Sequence, residues 1–180
     1  MSEQQVLEHE AEVIQAESTP ISGTRSYDPV LMERVRGFYA DWAACLAEDR
    51  YRDWLGFFTE DAEFMLIDSG NVETGFYLIR EKGYTALQIR AAYLSGYWRM
   101  SRKPRTHVIG NHRVYIAEDG TLNVKAGVVL VRNGLDGHSQ VHAAGTYDDL
   151  LVVKGDSFEI LRHSVVLDAE VQPYDMTDVV

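Results

Sequence analysis

Apolar residues recur at helical spacing in the first half of the chain and form strand-length runs in the second half. Over residues 30–47 the apolar side chains fall close to one face, which predicts an amphipathic helix. Asp28 is a typical N-cap residue and Pro29 suits the first helical position, so this helix should begin there. A shorter helix is predicted around Trp54, and a third over residues 85–100.

The segments between and after the helices have the composition of strands. Residues 64–67 and 73–79 are predicted as two strands, with turns at 59–61 and 68–71. After Pro104, four runs rich in Val, Ile, Leu and Tyr span residues 106–117, 122–133, 139–153 and 158–169. Helices followed by a long antiparallel meander indicate the α+β class, with the helices on one face of a curved sheet. The long final strands favour a sheet that wraps a helix into a cone.

The chain divides into a tail and one domain. Residues 1–26 are rich in Glu, Gln, Ser and Thr, and we predict a tail that is disordered or becomes ordered on a partner. Residues 27–180 should form a single domain, because a 180-residue chain with 46% hydrophobic residues can bury a sizeable core.

The charge balance narrows the class of partner. The chain has 17 basic and 28 acidic residues and a net charge of −11, which argues against nucleic acid or an anionic membrane surface. No run approaches the roughly 20 apolar residues of a membrane span, and the N-terminus lacks the features of a signal peptide. We therefore expect a cytoplasmic protein. The single cysteine, Cys45, excludes an internal disulfide and sits in an apolar helical context typical of a packed core thiol.

Four ordered segments carry a family resemblance. Residues 87–98 (Leu-x-x-Arg-Ala-x-x-Leu-x-Gly-x-Trp) precede 104–111 (Pro-Arg-Thr-His-x-Ile-x-Asn). Upstream is 48–62 (Glu-Asp-Arg-Tyr-x-x-Trp-x-x-x-Phe-x-x-Asp-Ala), and downstream is 162–168 (Arg-His-Ser-Val-Val-Leu-Asp). Together they resemble the small, or β, subunits of aromatic-ring-hydroxylating dioxygenases, over roughly residues 30–180.

The resemblance implies a fold, a role and partners. The fold would be the cystatin-like cone shared with scytalone dehydratase and ketosteroid isomerase. The chain would be a structural, non-catalytic subunit of a multicomponent Rieske non-haem iron dioxygenase that acts on an aromatic compound. It would associate with a large, or α, iron–sulfur subunit and with like small subunits, three of each. The Rieske [2Fe–2S] cluster and the mononuclear iron would lie on the large subunit.

The residues themselves argue against redox chemistry on this chain. A Rieske cluster needs two Cys and two His, and a mononuclear iron of this type needs two His and a carboxylate. One cysteine cannot build the first. For the second, His138 and His142 straddle the start of a predicted strand, and strand parity places His107 and His112 on opposite faces. We therefore assign no catalytic, cofactor-binding or metal residue to this chain.

Two other functions stay open. A stand-alone cone-fold isomerase or dehydratase would need an acid–base site, as in the well-known ketosteroid isomerase case. The candidates are Tyr39 and Asp41 on the first helix, Tyr51 and Asp53 after it, and His107 or His142 on strands. An open apolar cone with Asp41 or His107 at its floor would favour an enzyme, whereas a cone filled with Trp and Phe would favour a scaffold.

The third function is a binding module or a homo-oligomeric carrier. Residues 98–105 combine Trp98 with several Arg and Lys in an otherwise acidic chain. This stretch is either a solvated loop or a contact with a neighbouring subunit, because Trp and Arg are favoured at interfaces.

Overall fold

The computed structural model describes residues 23–72, 74–97, 104–134 and 136–169. The helices are α1 (Pro29–Ala47), α2 (Tyr51–Trp54) and α3 (Tyr84–Tyr97), with 3₁₀ turns at Leu55–Phe57 and Ser69–Asn71. The strands are β1 (Thr24–Ser26), β2 (Phe58–Asp68), β3 (Ile79–Lys82), β4 (Arg105–Ile116), β5 (Leu122–Asn133), β6 (Ser139–Lys154) and β7 (Ser157–Leu167). Within these ranges no helix is long and apolar enough to cross a membrane.

One seven-stranded sheet has the strand order β1-β4-β5-β6-β7-β2-β3. The four long strands β4 to β7 pair antiparallel in sequence order, so the predicted meander is confirmed. Strand β2 then pairs parallel with β7, which makes the sheet mixed at that end. Helix α1 packs against β4 and β7 on the concave face, and the predicted α+β cone architecture is confirmed.

Helix α1 begins where its cap residues predict. The Asp28 carboxylate accepts hydrogen bonds from the N–H groups of Val30 and Leu31, both at 3.2 Å, and Pro29 occupies the first turn. The inward face of the helix buries six side chains, which are Val35, Phe38, Tyr39, Trp42, Cys45 and Leu46. The amphipathic helix expected over residues 30–47 is therefore confirmed.

The first strands differ from the prediction. Strand β2 begins at Phe58, so the turn predicted at residues 59–61 is wrong. Its pairing with β7 is irregular between Phe58 and Glu63, and such a bulge lets polar residues stand within a strand. The second strand is confined to Ile79–Lys82, and Thr24–Ser26, which we assigned to the tail, pair with β4.

A bulge in β4 overturns the strand-parity argument for two histidines. The pairing of β4 with β5 shifts between Gly110 and Arg113, where Asn111 adopts a left-handed φ of 55°. One extra residue reverses the alternation of side chains beyond the bulge. His107 pairs with the core residue Leu130, and the His112 ring lies 5.2 Å from the ring of Tyr39 on α1. Both histidines therefore face the concave side.

Aromatic side chains fill the space between α1 and the sheet. The Trp42 ring centroid lies 5.9 Å from that of Trp54 and 5.6 Å from that of Phe58. Phe64 and Phe38 are also buried in this cluster. Edge-to-face contacts such as that between Trp42 and Phe58 add to the stabilisation from the buried apolar area. The cone interior is thus a packed core.

Candidate functional site

Three polar side chains meet at the floor of the cone. The Tyr39 hydroxyl donates to Oδ2 of Asp149 at 2.7 Å, and Nδ1 of His163 lies 2.8 Å from Oδ1 of Asp149. Tyr39 comes from the buried face of α1, whereas Asp149 and His163 are a directly opposed pair on β6 and β7. All three side chains are at most 1% exposed. We call these residues the floor triad.

The two hydrogen bonds explain how a carboxylate can be buried here. An isolated buried carboxylate is costly, but Asp149 receives one donor on each oxygen. Burial, and then the charge of Asp149, raise the pKa of Tyr39 well above its ordinary value. The Tyr39 hydroxyl therefore keeps its proton and donates a hydrogen bond to Asp149. A proton on Nδ1 of His163 completes the second bond, which leaves Nε2 facing the other way.

Aromatic rings enclose the His163 imidazole. Its centroid lies 4.9 Å from that of Trp42, 4.6 Å from that of Tyr147 and 5.4 Å from that of Phe64. Burial raises the pKa of Tyr147, and hydrogen bonding from the Trp42 indole opposes that rise. Nε2 of His163 is buried in this enclosure and has no hydrogen-bond partner in the described part of the chain.

The floor triad has the residue types of an acid–base site but lacks access. A carboxylate that orients an imidazole is a common general-base arrangement. Here, however, Asp149 and His163 are both 0% exposed, and Trp42 is also 0% exposed. A substrate could not touch these atoms without displacing aromatic side chains of the core. The geometry is therefore that of a satisfied polar group within a packed interior.

Sequence reasoning missed two members of the triad. Only Tyr39 was a candidate, and neither Asp149 nor His163 was proposed for a site. A signal was present, because alternation in β6 places Asp149 between the inward residues Tyr147 and Leu151. An acidic residue at an inward position of a strand requires a buried partner.

The structure does not assemble the other acid–base candidates around the floor triad. Asp41 is exposed on the outer side of α1, and Asp53 is exposed and pairs with Arg50 at 2.9 Å. His107 is buried on β4, and His142 is partly buried at an irregularity in the pairing of β5 with β6. Of the six candidates, Tyr39 alone contacts the triad carboxylate.

Tyr51 belongs to a different buried contact. Nη2 of Arg105 donates to the carbonyl of Leu46 at 3.2 Å, to Oδ1 of Asp49 at 2.5 Å, and to the Tyr51 hydroxyl. Arg105 thus ties the end of α1 to the start of β4. Of the predicted basic stretch, residues 98–103 lie outside the described residues, and Arg105 is an internal anchor with a side chain only 4% exposed.

Cys45 and the histidines form no metal site in the residues that the structure describes, where no group of three His, Cys, Asp or Glu could hold an ion. The Cys45 thiol is buried and donates to the carbonyl of Arg50 at 3.1 Å. Burial raises its pKa to about 11, so it stays a thiol at neutral pH. The prediction of a packed core thiol is confirmed.

An open cleft of about 900 Å³ lies away from the floor triad. Its lining comes from the 3₁₀ turn before β2, the start of β2, the end of β3, the start of α3 and the β6–β7 hairpin, and includes Lys82, Glu60, Lys154 and Glu159. Lys154 and Glu159 pair with each other across the hairpin. Charges of both signs and an ion pair at the surface indicate a solvated cleft.

A comparison with models of protein families shows to which family the chain belongs. A family model described as the ring-hydroxylating β subunit matches residues 42–173. The chain belongs to this family. The resemblance predicted from four sequence segments is thereby confirmed, although a search of curated proteins gave no match.

Solved structures of β subunits share the fold. One is described as the β subunit of an aromatic-ring-hydroxylating dioxygenase from Novosphingobium aromaticivorans, with a TM-score of 0.73 and 20% identity. That match covers 85% of this chain and 98% of the other. The β subunit of benzoate 1,2-dioxygenase from Burkholderia mallei gives a TM-score of 0.67 at 17% identity, with 81% and 95% coverage.

The same cone occurs in a protein of a different kind. A protein described as a scytalone dehydratase, also from Novosphingobium aromaticivorans, gives a TM-score of 0.59 at 16% identity. The match covers 81% of this β-subunit family member and 94% of the dehydratase. At these identities the likeness establishes the fold, so function must be argued from the site.

Proposed function

We propose that this chain is a structural subunit of a multicomponent Rieske non-haem iron dioxygenase that hydroxylates an aromatic ring. It binds a large iron–sulfur subunit, which carries the Rieske cluster and the mononuclear iron, and it holds the large subunits in register in a cytoplasmic assembly of three large and three small chains. Family membership supports the role. The observation that carries the non-catalytic part is the filled cone.

The filled cone bears on catalysis because the superfamily's enzymes would use the same interior. Trp42, Trp54 and Phe64 are each at most 1% exposed and occupy the space that a substrate would need. The two carboxylate oxygens of Asp149 are satisfied from within by Tyr39 and His163. A core of this kind stabilises a scaffold and leaves the chemistry to another chain.

The outer face of the sheet supports the assembly role. Val108 on β4 and Val141 on β6 are 55% and 66% exposed and flank Val129 and Val131 on β5, the strand between them. All four project to the face opposite the core. Contiguous exposed apolar side chains are typical of protein interfaces. We propose that this outer valine patch packs against neighbouring subunits.

Co-expression with the genomic neighbour tests the proposal. We expect the chain to co-purify in equal amounts with an iron–sulfur protein of about twice its size that has the absorption of a Rieske cluster. Val108→Asp with Val141→Asp should abolish co-purification and leave the far-ultraviolet spectrum unchanged. Val30→Asp is the matched control, because Val30 is 66% exposed but lies on the first turn of α1. If the valine-patch variant still co-purified, the outer valine patch would not be a contact of the assembly.

A stand-alone isomerase or dehydratase is the second candidate, favoured by the floor triad alone. A chain that purified as a soluble dimer and turned over a ketone or a hydroxylated substrate would overturn the subunit proposal. Asp149→Asn should then abolish turnover, while Asp41→Asn should retain it. We expect no turnover by the isolated chain, since the triad is sealed.

A further inference from the structure

The solvent-facing side of α3 is apolar. Ile89 and Tyr93 are 68% and 55% exposed, and Ala92 and Gly96 are exposed as well. These four residues follow one another at spacings of three or one along the helix, so they lie along one side of it. We call them the α3 outer face.

The opposite side of α3 packs in the core. It buries three side chains, which are Leu87, Ala91 and Leu94. Arg90 is the one charged residue of this helix, and it pairs with Glu81 on β3 at 2.5 Å. A helix that is apolar on all sides is normally covered on all sides. The α3 outer face is therefore a contact surface.

Helix α3 runs in the same direction as β2. It begins beside Ala62, because the Gly83 N–H group donates to the Ala62 carbonyl at 2.8 Å. Further along the helix, the guanidinium carbon of Arg90 lies 5.1 Å from the centre of the Phe64 ring. The C-terminal half of α3 therefore lies towards the end of β2.

The chain leaves the sheet at the same end of β2. Strand β7 pairs in parallel with β2, and Leu167 is opposite Asp68. Just beyond this pair, the Ser69 hydroxyl donates to the Asp168 carbonyl at 3.1 Å. Residues 170–180 continue from this point. Eleven residues reach up to about 36 Å when extended, whereas the whole of α3 is about 21 Å long, so the segment can span the helix.

We propose that residues 170–180 pack across the α3 outer face of their own chain. The segment supplies five hydrophobic side chains, which are Val171, Tyr174, Met176, Val179 and Val180. They would cover Ile89 and Tyr93 and remove that apolar surface from water. The small side chains of Ala92 and Gly96 allow a second backbone to approach the helix closely.

Charge and covalent attachment favour this segment over a second copy of the chain as the cover. Residues 170–180 carry three acidic residues and no basic one, and α3 has no carboxylate that would repel them. A second copy would bring its net charge of −11 against a chain of equal charge. An attached segment also has an effective concentration in the millimolar range.

Photo-crosslinking from the α3 outer face tests the proposal on the full chain. p-Benzoylphenylalanine is introduced in place of Ile89, and the irradiated chain is digested with trypsin. Residues 163–180 are released as one peptide, because Arg162 is the last basic residue of the sequence. We expect cross-links within one chain, which fragment masses locate to residues 170–180. The same group in place of Val153, which is 54% exposed beside the β6–β7 hairpin at the other end of the sheet, should give none there.

Isotope labelling identifies the cross-linked partner. In an equal mixture of labelled and unlabelled chains, cross-links within one chain carry a single isotope and cross-links between copies are mixed. Mixed products, or no cross-link from position 89 to residues 170–180, would overturn the proposal. Cross-links from position 89 into a co-purified large subunit, in place of residues 170–180, would overturn it as well. The measurement on the chain alone does not depend on the proposed subunit role.

Proteolysis gives a second readout without a photoreactive group. Chymotrypsin cleaves after Tyr174, and Ile89→Asp should speed this cleavage about tenfold, because the segment would lose an apolar contact and open more often. Val30→Asp is the matched control, since Val30 is 66% exposed on the first turn of α1, and it should leave the rate unchanged. Equal rates in Ile89→Asp and the unaltered chain would contradict the docking of residues 170–180 on α3.

Discussion

Nδ1 of His163 lies 2.8 Å from Oδ1 of Asp149, and both side chains are 0% exposed. The two residues face each other across β6 and β7, so the sheet register brings them together. The Tyr39 hydroxyl, from α1, completes the coordination of the carboxylate. The buried Asp149 carboxylate on β6 is therefore held by side chains from two other elements, α1 and β7.

Replacing Asp149 should destabilise the fold strongly. Asp149→Asn replaces one of the two acceptor oxygens with an NH2 group, so only one of the hydrogen bonds from Tyr39 and His163 can keep its acceptor, and we expect a loss of about 3 kcal/mol in the free energy of unfolding. Asp148→Asn is the matched control, because Asp148 is the next residue, faces outward and pairs with Lys125 at 3.0 Å. That partly exposed pair should contribute less than about 1 kcal/mol. Urea denaturation measures both, and equal losses would contradict the buried role of Asp149.

The folded protein should lose stability in mildly acidic solution, because protonation of His112 favours the unfolded chain. Burial, and then the Arg36 guanidinium, lower the pKa of His112 below its ordinary value. The unfolded chain therefore binds this proton at a higher pH than the folded chain does. The contribution of His112 is present above about pH 6.5 and is lost as the pH falls through the lower pKa of the folded state.

A comparison of variants isolates this effect. Between about pH 7.5 and pH 5, His112→Gln should lose less stability than the unaltered chain, as measured by the urea midpoint. His138→Gln should behave like the unaltered chain, because His138 is exposed. An identical pH dependence in His112→Gln would show that His112 titrates alike in both states.

Arg105 should be needed for the junction between α1 and β4. Arg105→Met removes the guanidinium that donates to the Leu46 carbonyl and to Asp49, which should cost about 2–3 kcal/mol, a moderate loss because Asp49 keeps some contact with water. Arg50→Met removes an arginine that is 43% exposed and pairs with Glu48 and Asp53 at the surface. We expect less than about 1 kcal/mol there. Thermal and urea unfolding measure the loss of stability in both variants. A larger loss in Arg50→Met than in Arg105→Met would contradict the role of Arg105 at this junction.

Gly145 should not tolerate a side chain. A Cβ atom at Gly145 would lie 2.2 Å from the Val166 carbonyl oxygen and 3.0 Å from Leu167 Cα, and both belong to the β7 backbone. The strands would have to separate, so Gly145→Ala should destabilise the protein by about 2–3 kcal/mol. Gly127→Ala is the control on β5, where the nearest atom is 3.7 Å away, and its effect should be within about 0.5 kcal/mol. A tolerated Gly145→Ala would indicate that β6 and β7 move apart at this point.

The local features of the fold were predictable because short-range rules govern them. Asp28 and Pro29 define the start of α1, and the apolar runs after Pro104 define the four long strands. The turn predicted at residues 59–61 was wrong because polar side chains can stand in a bulged strand where the pairing with β7 is irregular. The tail over residues 1–22 and the basic residues 98–103 lie outside the described residues, so those predictions stay open.

The sequence by itself determined the class of the fold, the core thiol at Cys45 and the lack of enough cysteine for a Rieske cluster. These follow from composition and from patterns within one element. Only the tertiary structure decided which polar residues meet, because Tyr39 and Asp149 are 110 positions apart in the chain. It also decided that His107 and His112 share a face, since a single bulge at Asn111 reverses the alternation. Pairing register and bulges depend on contacts between distant strands, and the pattern within one strand does not contain them.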